Sequence, residues 1–200
     1  MTPAELTALL ALLTAMSFTP GPNTTLSTAL AANHGLSAAM RFVCAVPVGW
    51  GLLLVACALG LGALVESLPA LRWAIKGIGL AYLLWLAVQL ARRAQMPVHG
   101  ESAAPRVGFG TGVALQFVNI KAWLNALLIT AGWVAVSGES MQRLAWVLPV
   151  AMAYGFASNF TYALVGSALR QWLRHGRRLL WFNRVMAAVL VATAAWMATV

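Results

Sequence analysis

A proline–glycine–proline segment interrupts a long apolar stretch near the start of the chain, at Thr19-Pro20-Gly21-Pro22-Asn23. The prolines have no backbone N–H to donate and clash with the preceding helical turn, while Gly21 lowers the cost of non-helical dihedrals. Within a bilayer, such backbone is tolerated only where protein or a water-filled cavity satisfies it. In transporters, freed groups of this kind coordinate substrates, and a half-helix N-terminus favours a carboxylate. We therefore predict that Pro20, Gly21, Pro22 and Asn23 bind a substrate; the alternative is a kink that only shapes packing.

Lys121 is a single charge inside a later apolar stretch, about ten residues from its start. At about 1.5 Å per residue it lies about 15 Å deep, near the midplane of a hydrocarbon core about 30 Å thick. A charge there costs at least a few kcal/mol unless it is paired or hydrated. Gln116 and Asn119, which share a helix face, supply polar neighbours. Lys121 is therefore expected to bind a substrate carboxylate or to carry a proton, with Gln116 and Asn119 beside it; the alternative is an ammonium satisfied by carbonyls of the broken helix.

A third polar group lies in the fifth apolar stretch, where Ser158 and Asn159 each share a helix face with Tyr162. These side chains would either line a polar cavity or form interhelical hydrogen bonds, which are worth about 0.6 kcal/mol on average. We predict Asn159 and Tyr162 as substrate-binding residues and leave the packing alternative open.

The residue types do not support an intramembrane enzyme or a redox protein. An intramembrane hydrolase would need a nucleophile with a mid-membrane His or Asp, but the chain has no Asp and its three histidines lie between the apolar stretches. Cys44 and Cys57 lie in one stretch, about 20 Å apart along a helix, which is too far for a disulfide. No catalytic residue, metal site or cofactor is predicted.

The composition requires a membrane around these residues. The chain has 200 residues, of which 62% are hydrophobic and 8% charged, whereas soluble domains carry about 25% charged residues. At about 20 residues per span, the chain has room for about six transmembrane helices in one domain. The net charge of +9 is explained by basic cytoplasmic loops rather than by a nucleic-acid partner.

We predict an all-α, polytopic membrane protein of six spans, since the alternating ten-residue strands of a barrel are missing from the sequence. The second and fifth stretches contain no charge, and Lys76, near the start of the third, is expected to anchor that span at the interface. The predicted spans cover residues 6–32, 42–65, 73–91, 111–134, 144–169 and 179–200. Gly49, Gly51, Gly60 and Gly62 are expected to allow close helix packing.

The arginines predict the orientation. Nine lie in or beside the connections after spans one, three and five, and two lie on the opposite side. The arginine-rich side is therefore expected to face the cytoplasm, with both termini outside. Two inverted three-helix halves follow, at about 1–95 and 107–200, joined by a cytoplasmic loop at 92–110. Each half would carry a polar interruption in its first span.

Three segments together resemble the LysE/RhtB family of exporters, in the right order and spacing over the first two-thirds of the chain. They are residues 18–23 (FTPGPN) followed by Asn33-His34-Gly35, residues 76–86 (KGIGLAYLLWL) and residues 109–122 (FGTGVALQFVNIKA). Pro20, Gly21, Pro22, Asn23, Asn119 and Lys121 match the family's motif residues. The family usually has Asn-Pro-Lys where Ile120 replaces the proline here, so a break in span four is left open.

The resemblance implies a transporter of the bacterial inner membrane that exports amino acids or related small metabolites, driven by the proton-motive force. Its partners would be a small zwitterionic substrate and membrane lipid; whether it forms a homo-oligomer is open. The competing hypothesis is a membrane scaffold that transports nothing. A transporter predicts that Lys121 and Asn23 face one shared wet cavity, and a scaffold predicts that both are enclosed in dry contacts.

Overall fold

The computed structural model describes residues 1–93, 107–135 and 139–199, and within these ranges the protein is helical without strands. This confirms the all-α class. The helices are α1 (Pro3–Phe18), α2 (Pro22–His34), α3 (Leu36–Ala58), α4 (Leu61–Ser67), α5 (Pro69–Ala91), α6 (Phe109–Val118), α7 (Ile120–Ile129) with a π-helical turn (Thr130–Val134), α8 (Ser140–Leu173) and α9 (Arg178–Thr199). Most of the predicted loop 92–110 lies outside the described residues.

Two of the predicted spans are broken. α1 and α2 meet at an angle of 50°, which confirms the break predicted from the two prolines, and α6 meets α7 with its π-helical turn at 70°. The second break lies at Asn119, whose backbone is extended and whose side chain accepts a hydrogen bond from the Lys121 N–H at 3.1 Å. Asparagine is among the preferred N-cap residues. A side-chain cap therefore ends α6 and begins α7 without a proline at position 120.

Three single helices, α3, α5 and α9, are long and apolar enough to cross a membrane, and the two broken pairs raise the number of such spans in the described residues to five. The predicted fifth span falls within α8, a helix of 34 residues that is not among the five. Its polar residues, Asn159 among them, lower its mean hydropathy. The count of six spans therefore stays a prediction.

The predicted second span, residues 42–65, is wrong as one continuous helix. α3 ends at Ala58, and Gly60 adopts a left-handed backbone conformation with φ of 103° before α4 begins. A side chain at Gly60 would meet no atom within 4 Å, so this glycine does not serve helix packing. Its conformational freedom ends the helix instead.

The other three glycines predicted to allow close packing do so. A Cβ atom at Gly49 would lie 2.7 Å from the Cα atom of Val113 on α6, and one at Gly51 would lie 3.0 Å from the sulfur of Met152 on α8. A Cβ at Gly62 would lie 2.6 Å from a methyl carbon of the Leu127 side chain. Because a side chain at these positions would collide with its neighbour, the glycines bring the helices together.

The apolar core is divided into two main clusters, one on each side of the two breaks. One cluster joins α1 and α7 with the end of α3 and the start of α8; we call this side the α1–α7 layer. The other joins α2 and α6 with the start of α3, the end of α5, part of α8, and α9; we call it the α2–α6 layer. The predicted orientation would place the α1–α7 layer toward the outside.

The helix contacts link the two halves of the chain. α2 packs along α8 and α6 packs along α3, so both large contacts lie in the α2–α6 layer. α5 and α9, the third spans of the two halves, pack along each other. An inversion would relate α2 to α7 rather than to α6, and α7 contacts α3 less extensively, so the inverted repeat stays a prediction.

Candidate functional site

A cavity of about 80 Å³ lies where the two breaks meet. Parts of both broken spans, of α3 and of α8 form its walls. Among the predicted site residues, Pro22, Asn23, Asn119, Lys121 and Asn159 line it. The remaining lining residues are Leu13, Met16, Ser17, Thr19, Thr24, Val46, Pro47, Trp50, Ala122, Asn125, Ile129, Ala151, Gly155 and Ser158. The structure thus brings together residues that are about 140 positions apart in the chain.

The break in span one frees the last carbonyl groups of α1, because Pro20, Gly21 and Pro22 do not continue its hydrogen-bond ladder. Side chains from two other spans compensate for the lost partners. Ser158 donates to the Ser17 carbonyl at 2.6 Å, Tyr162 to the Phe18 carbonyl at 2.9 Å, and Lys121 Nζ to the Thr19 carbonyl at 2.9 Å. The end of α1 is therefore held by spans four and five.

Lys121 lies directly across the first break. A Cβ atom at Gly21 would be 3.2 Å from both Cδ and Nζ of the lysine, so a side chain at position 21 would crowd the ammonium. The hydrogen bond to the Thr19 carbonyl is the contact that a purely structural lysine would make. Lys121 nevertheless lines the cavity together with Asn23, so its ammonium is held by protein on one side and reaches open space on the other.

Asn23 and Gln116 connect the two broken spans at a second point. Their side-chain amides exchange hydrogen bonds of 2.8 and 3.1 Å, and Gln116 also donates to the Gly112 carbonyl at 3.0 Å. Gln116 is fully buried and does not line the cavity. Of this pair, Asn23 alone can contact a ligand in the observed arrangement.

The other predicted site residues divide between lining and support. Asn159 accepts a hydrogen bond from Ser27 at 2.9 Å and donates to the Gly155 carbonyl at 2.8 Å, so its amide is already paired. Tyr162, Pro20 and Gly21 do not line the cavity; they hold or form the break. The polar residues of span five thus make the interhelical contacts of the packing alternative, while Ser158 and Asn159 also face the cavity.

Partial charges of both signs meet at the first break. α2 begins there, so the positive end of its helix dipole lies beside the Lys121 ammonium, and α7 begins at the second break. The freed carbonyls of α1, at the negative end of its dipole, lie at the same first break, and the Thr19 carbonyl among them accepts the hydrogen bond of the ammonium. No carboxylate is among the lining residues that the structure describes.

Sequence reasoning does not single out the α3 residues Val46, Pro47 and Trp50, which form an apolar wall of the cavity. Residues in an uninterrupted apolar helix look alike in the sequence, whether they face lipid, another helix or a cavity. Metal chemistry has no candidate either: the described residues contain no group of three or more His, Cys, Asp or Glu side chains that could hold an ion.

Broken spans that meet around a cavity with polar lining residues are a recurring feature of membrane transporters. The comparison with known families agrees: the model of the LysE type translocator matches residues 14–199. The chain belongs to this family, and it is a multi-pass transporter of the inner membrane rather than an enzyme.

Curated relatives cover nearly the whole chain. Proteins named "Cysteine/O-acetylserine efflux protein" from Klebsiella pneumoniae, Salmonella typhimurium and Escherichia coli are 33%, 32% and 31% identical to it, each over 97% of both chains. No solved structure matches the chain significantly.

Proposed function

We propose that this protein exports an amino acid or a related small zwitterionic metabolite by alternating access, driven by the proton-motive force. One observation carries the proposal: Lys121 and Asn23, from the two broken spans, line the same cavity. The scaffold hypothesis expects both to be enclosed in dry contacts. The relatives' names agree with export, since they describe efflux of cysteine and O-acetylserine.

The substrate carboxylate would bind between Lys121 and the N-terminus of α2, where a cation and a helix dipole favour an anion. To reach Lys121 it would compete with the Thr19 carbonyl, which now accepts the ammonium's hydrogen bond at 2.9 Å. A charged acceptor forms the stronger hydrogen bond. The exchange would leave the Thr19 carbonyl free to accept a bond from the substrate's own ammonium group. Binding would thereby loosen the hold of span four on the end of α1.

Lys121 is also the candidate for proton coupling. It is the one ionisable side chain among the residues that line the cavity in the described structure. Because the proton-motive force drives protons into the cell, a proton coupled to export must be taken up outside and released to the cytoplasm, opposite to the substrate. Lys121 would therefore gain a proton on the outer side, where its ammonium competes with the substrate's ammonium group for the Thr19 carbonyl, and would release it to water on the cytoplasmic side.

The test is an efflux assay in cells with their own amino-acid exporters deleted. Cells expressing wild type, Lys121→Met or Lys76→Met at matched membrane levels are loaded with a panel of labelled small amino acids. Lys76 is the control, because this half-buried lysine lies 5.1 Å over the Trp73 ring and away from the cavity. The wild type and Lys76→Met should speed efflux of at least one compound. The efflux rate of that compound should fall at least about tenfold in Lys121→Met, because one charge-assisted contact is worth about 1.4 kcal/mol.

Two outcomes would contradict the proposal. Efflux by Lys121→Met at the wild-type rate would remove the lysine from the mechanism. Efflux by the wild type at the empty-vector rate for every compound would favour the scaffold. Proton coupling is tested separately in vesicles, where an imposed pH gradient should accelerate transport by the wild type and a protonophore should abolish that acceleration.

A further inference from the structure

The cavity is lined by both polar and apolar residues. The polar ones, which we call the polar wall, come from the end of α1, the start of α2 and of α7, and Ser158 and Asn159 of α8. The apolar ones, which we call the apolar wall, are Leu13 and Met16 of α1, Val46, Pro47 and Trp50 of α3, Ala122 and Ile129 of α7, and Ala151 of α8. If the polar wall binds the carboxylate and ammonium common to all α-amino acids, the apolar wall is left to contact the side chain.

Trp50 is the largest group on this apolar wall and the one aromatic side chain among the cavity-lining residues that the structure describes. It lies three residues after Pro47 and four after Val46, so the three side chains share one face of α3. It is half-buried and packs against the apolar cluster of the α1–α7 layer.

The backbone that carries Trp50 lies close to two other helices. A Cβ atom at Gly49 would lie 2.7 Å from the Val113 backbone of α6, and one at Gly51 would lie 3.0 Å from the flexible Met152 side chain of α8. α3 is therefore held on both sides of the tryptophan. A larger ligand would have to displace the indole itself, because close-packed interiors resist such expansion.

We propose that Trp50 limits the size of the substrate side chain, so that the site accepts α-amino acids with short side chains and rejects branched or aromatic ones. This inference rests on the proposed function and narrows its substrate class. Cysteine, one of the two compounds named for the relatives, has a short side chain of this kind.

The experiment compares export of serine and leucine, both labelled, by wild type, Trp50→Ala and Trp50→Phe in the same cells. Removing the indole should raise the leucine-to-serine export ratio by at least about tenfold, the usual discrimination of an apolar pocket against extra methylene groups. Trp50→Phe should give an intermediate ratio. Trp146→Ala is the matched control, because this tryptophan of α8 is 68% exposed on the protein surface and should leave the ratio unchanged.

A second measurement uses the unaltered protein, so that a variant that fails to reach the membrane does not decide the question. Excess unlabelled leucine or phenylalanine should not slow serine export by the wild type, whereas excess cysteine or alanine, whose side chains are about as short as that of serine, should. An unchanged ratio in Trp50→Ala, or equal competition by leucine in the wild type, would overturn the size limit while leaving amino-acid export intact. Absence of export of any amino acid by the wild type would instead overturn the proposed function and the size limit with it.

Discussion

The two helices of the first broken span, α1 and α2, are packed very differently. α1 buries two of its sixteen residues, Leu9 and Leu13, whereas α2 buries eleven of its thirteen. α1 ends in carbonyl groups that other spans must satisfy, and the cavity lies beside it. α2 packs closely along α8, where a Cβ atom at Gly166 would collide with the Thr28 carbonyl. The first broken span therefore combines α1, which lines the cavity, with α2, most of which is packed closely against other helices.

Small residues account for the close packing of α2. Residues 27–32 of α2 read Ser-Thr-Ala-Leu-Ala-Ala, and backbones come close where side chains are short. The polar groups that this packing buries are satisfied within the protein: Thr28 donates to the Thr24 carbonyl at 2.8 Å, and Asn33 exchanges hydrogen bonds of 2.7 and 3.0 Å with Asn183. The contact between α2 and α8 is therefore close without bulky side chains between the backbones, whereas the cavity opens at the breaks, beside the end of α1.

The largest expected effect is a difference in thiol accessibility between the two layers. Cys44 and Cys57 are first replaced by serine or alanine, and Met16→Cys, Asn125→Cys or Thr28→Cys is then introduced. A membrane-impermeant maleimide added from outside should label positions 16 and 125, which line the cavity, and should not label position 28, which is buried. Labelling of positions 16 and 125 from the cytoplasmic side alone would reverse the predicted orientation, and labelling of position 28 from either side would refute the close packing of α2.

The next largest effect is expected at the close contact between α2 and α8. Gly166→Ala would place a methyl group against the Thr28 backbone, which cannot yield as a flexible side chain does. Overpacking of this kind costs about 1–3 kcal/mol, so the variant should lose thermal stability in detergent and reach lower membrane levels. Gly77→Ala is the control, because a methyl group there meets no atom within 4 Å. Equal melting temperatures for Gly166→Ala and Gly77→Ala would mean that the contact is looser than described.

These two layers also show how much the sequence could predict. The break beside α1 follows from two prolines, whose backbone chemistry is local and visible in the chain. The sequence leaves the break at Asn119 undecided, because this break depends on a side-chain cap rather than on a proline. The Asn119 side chain can cap α7 only where the tertiary structure lets it accept the hydrogen bond of the Lys121 N–H. The sequence predicts Gln116 as a site residue but not its pairing with Asn23, and it does not predict Trp50 as a lining residue. The partner of a buried amide and the residues that line a cavity are set by helices distant in the sequence.

A smaller effect is expected at the end of the α2–α6 layer that lies away from the breaks, where Asn33 and Asn183 are paired and buried. Asn183→Leu would remove both mutual hydrogen bonds of this pair and the bond from Asn183 to the Arg93 carbonyl. The side-chain Oδ1 of Asn33 would lose its donor Asn183, at a cost of about 1–3 kcal/mol. Because the two residues interact, the double variant with Asn33→Leu should lose less stability than the sum of the two single variants. Additive losses in a double-mutant cycle would show that the pair contributes no coupling.

The smallest effect is expected in the loosely packed layer, at the ion pair between Glu5 and Arg143. Their side chains approach to 3.5 Å at the exposed start of α1, where water screens the attraction. Glu5→Gln removes the charge but keeps a side chain that can still accept from the Thr2 N–H, as the glutamate does at 2.7 Å. The melting temperature should therefore fall less than in Asn183→Leu, and the difference from wild type should shrink further in high salt. A loss as large as that of Asn183→Leu, unchanged by salt, would show that the α1–α7 layer depends on its surface charges as strongly as the α2–α6 layer depends on its buried contacts.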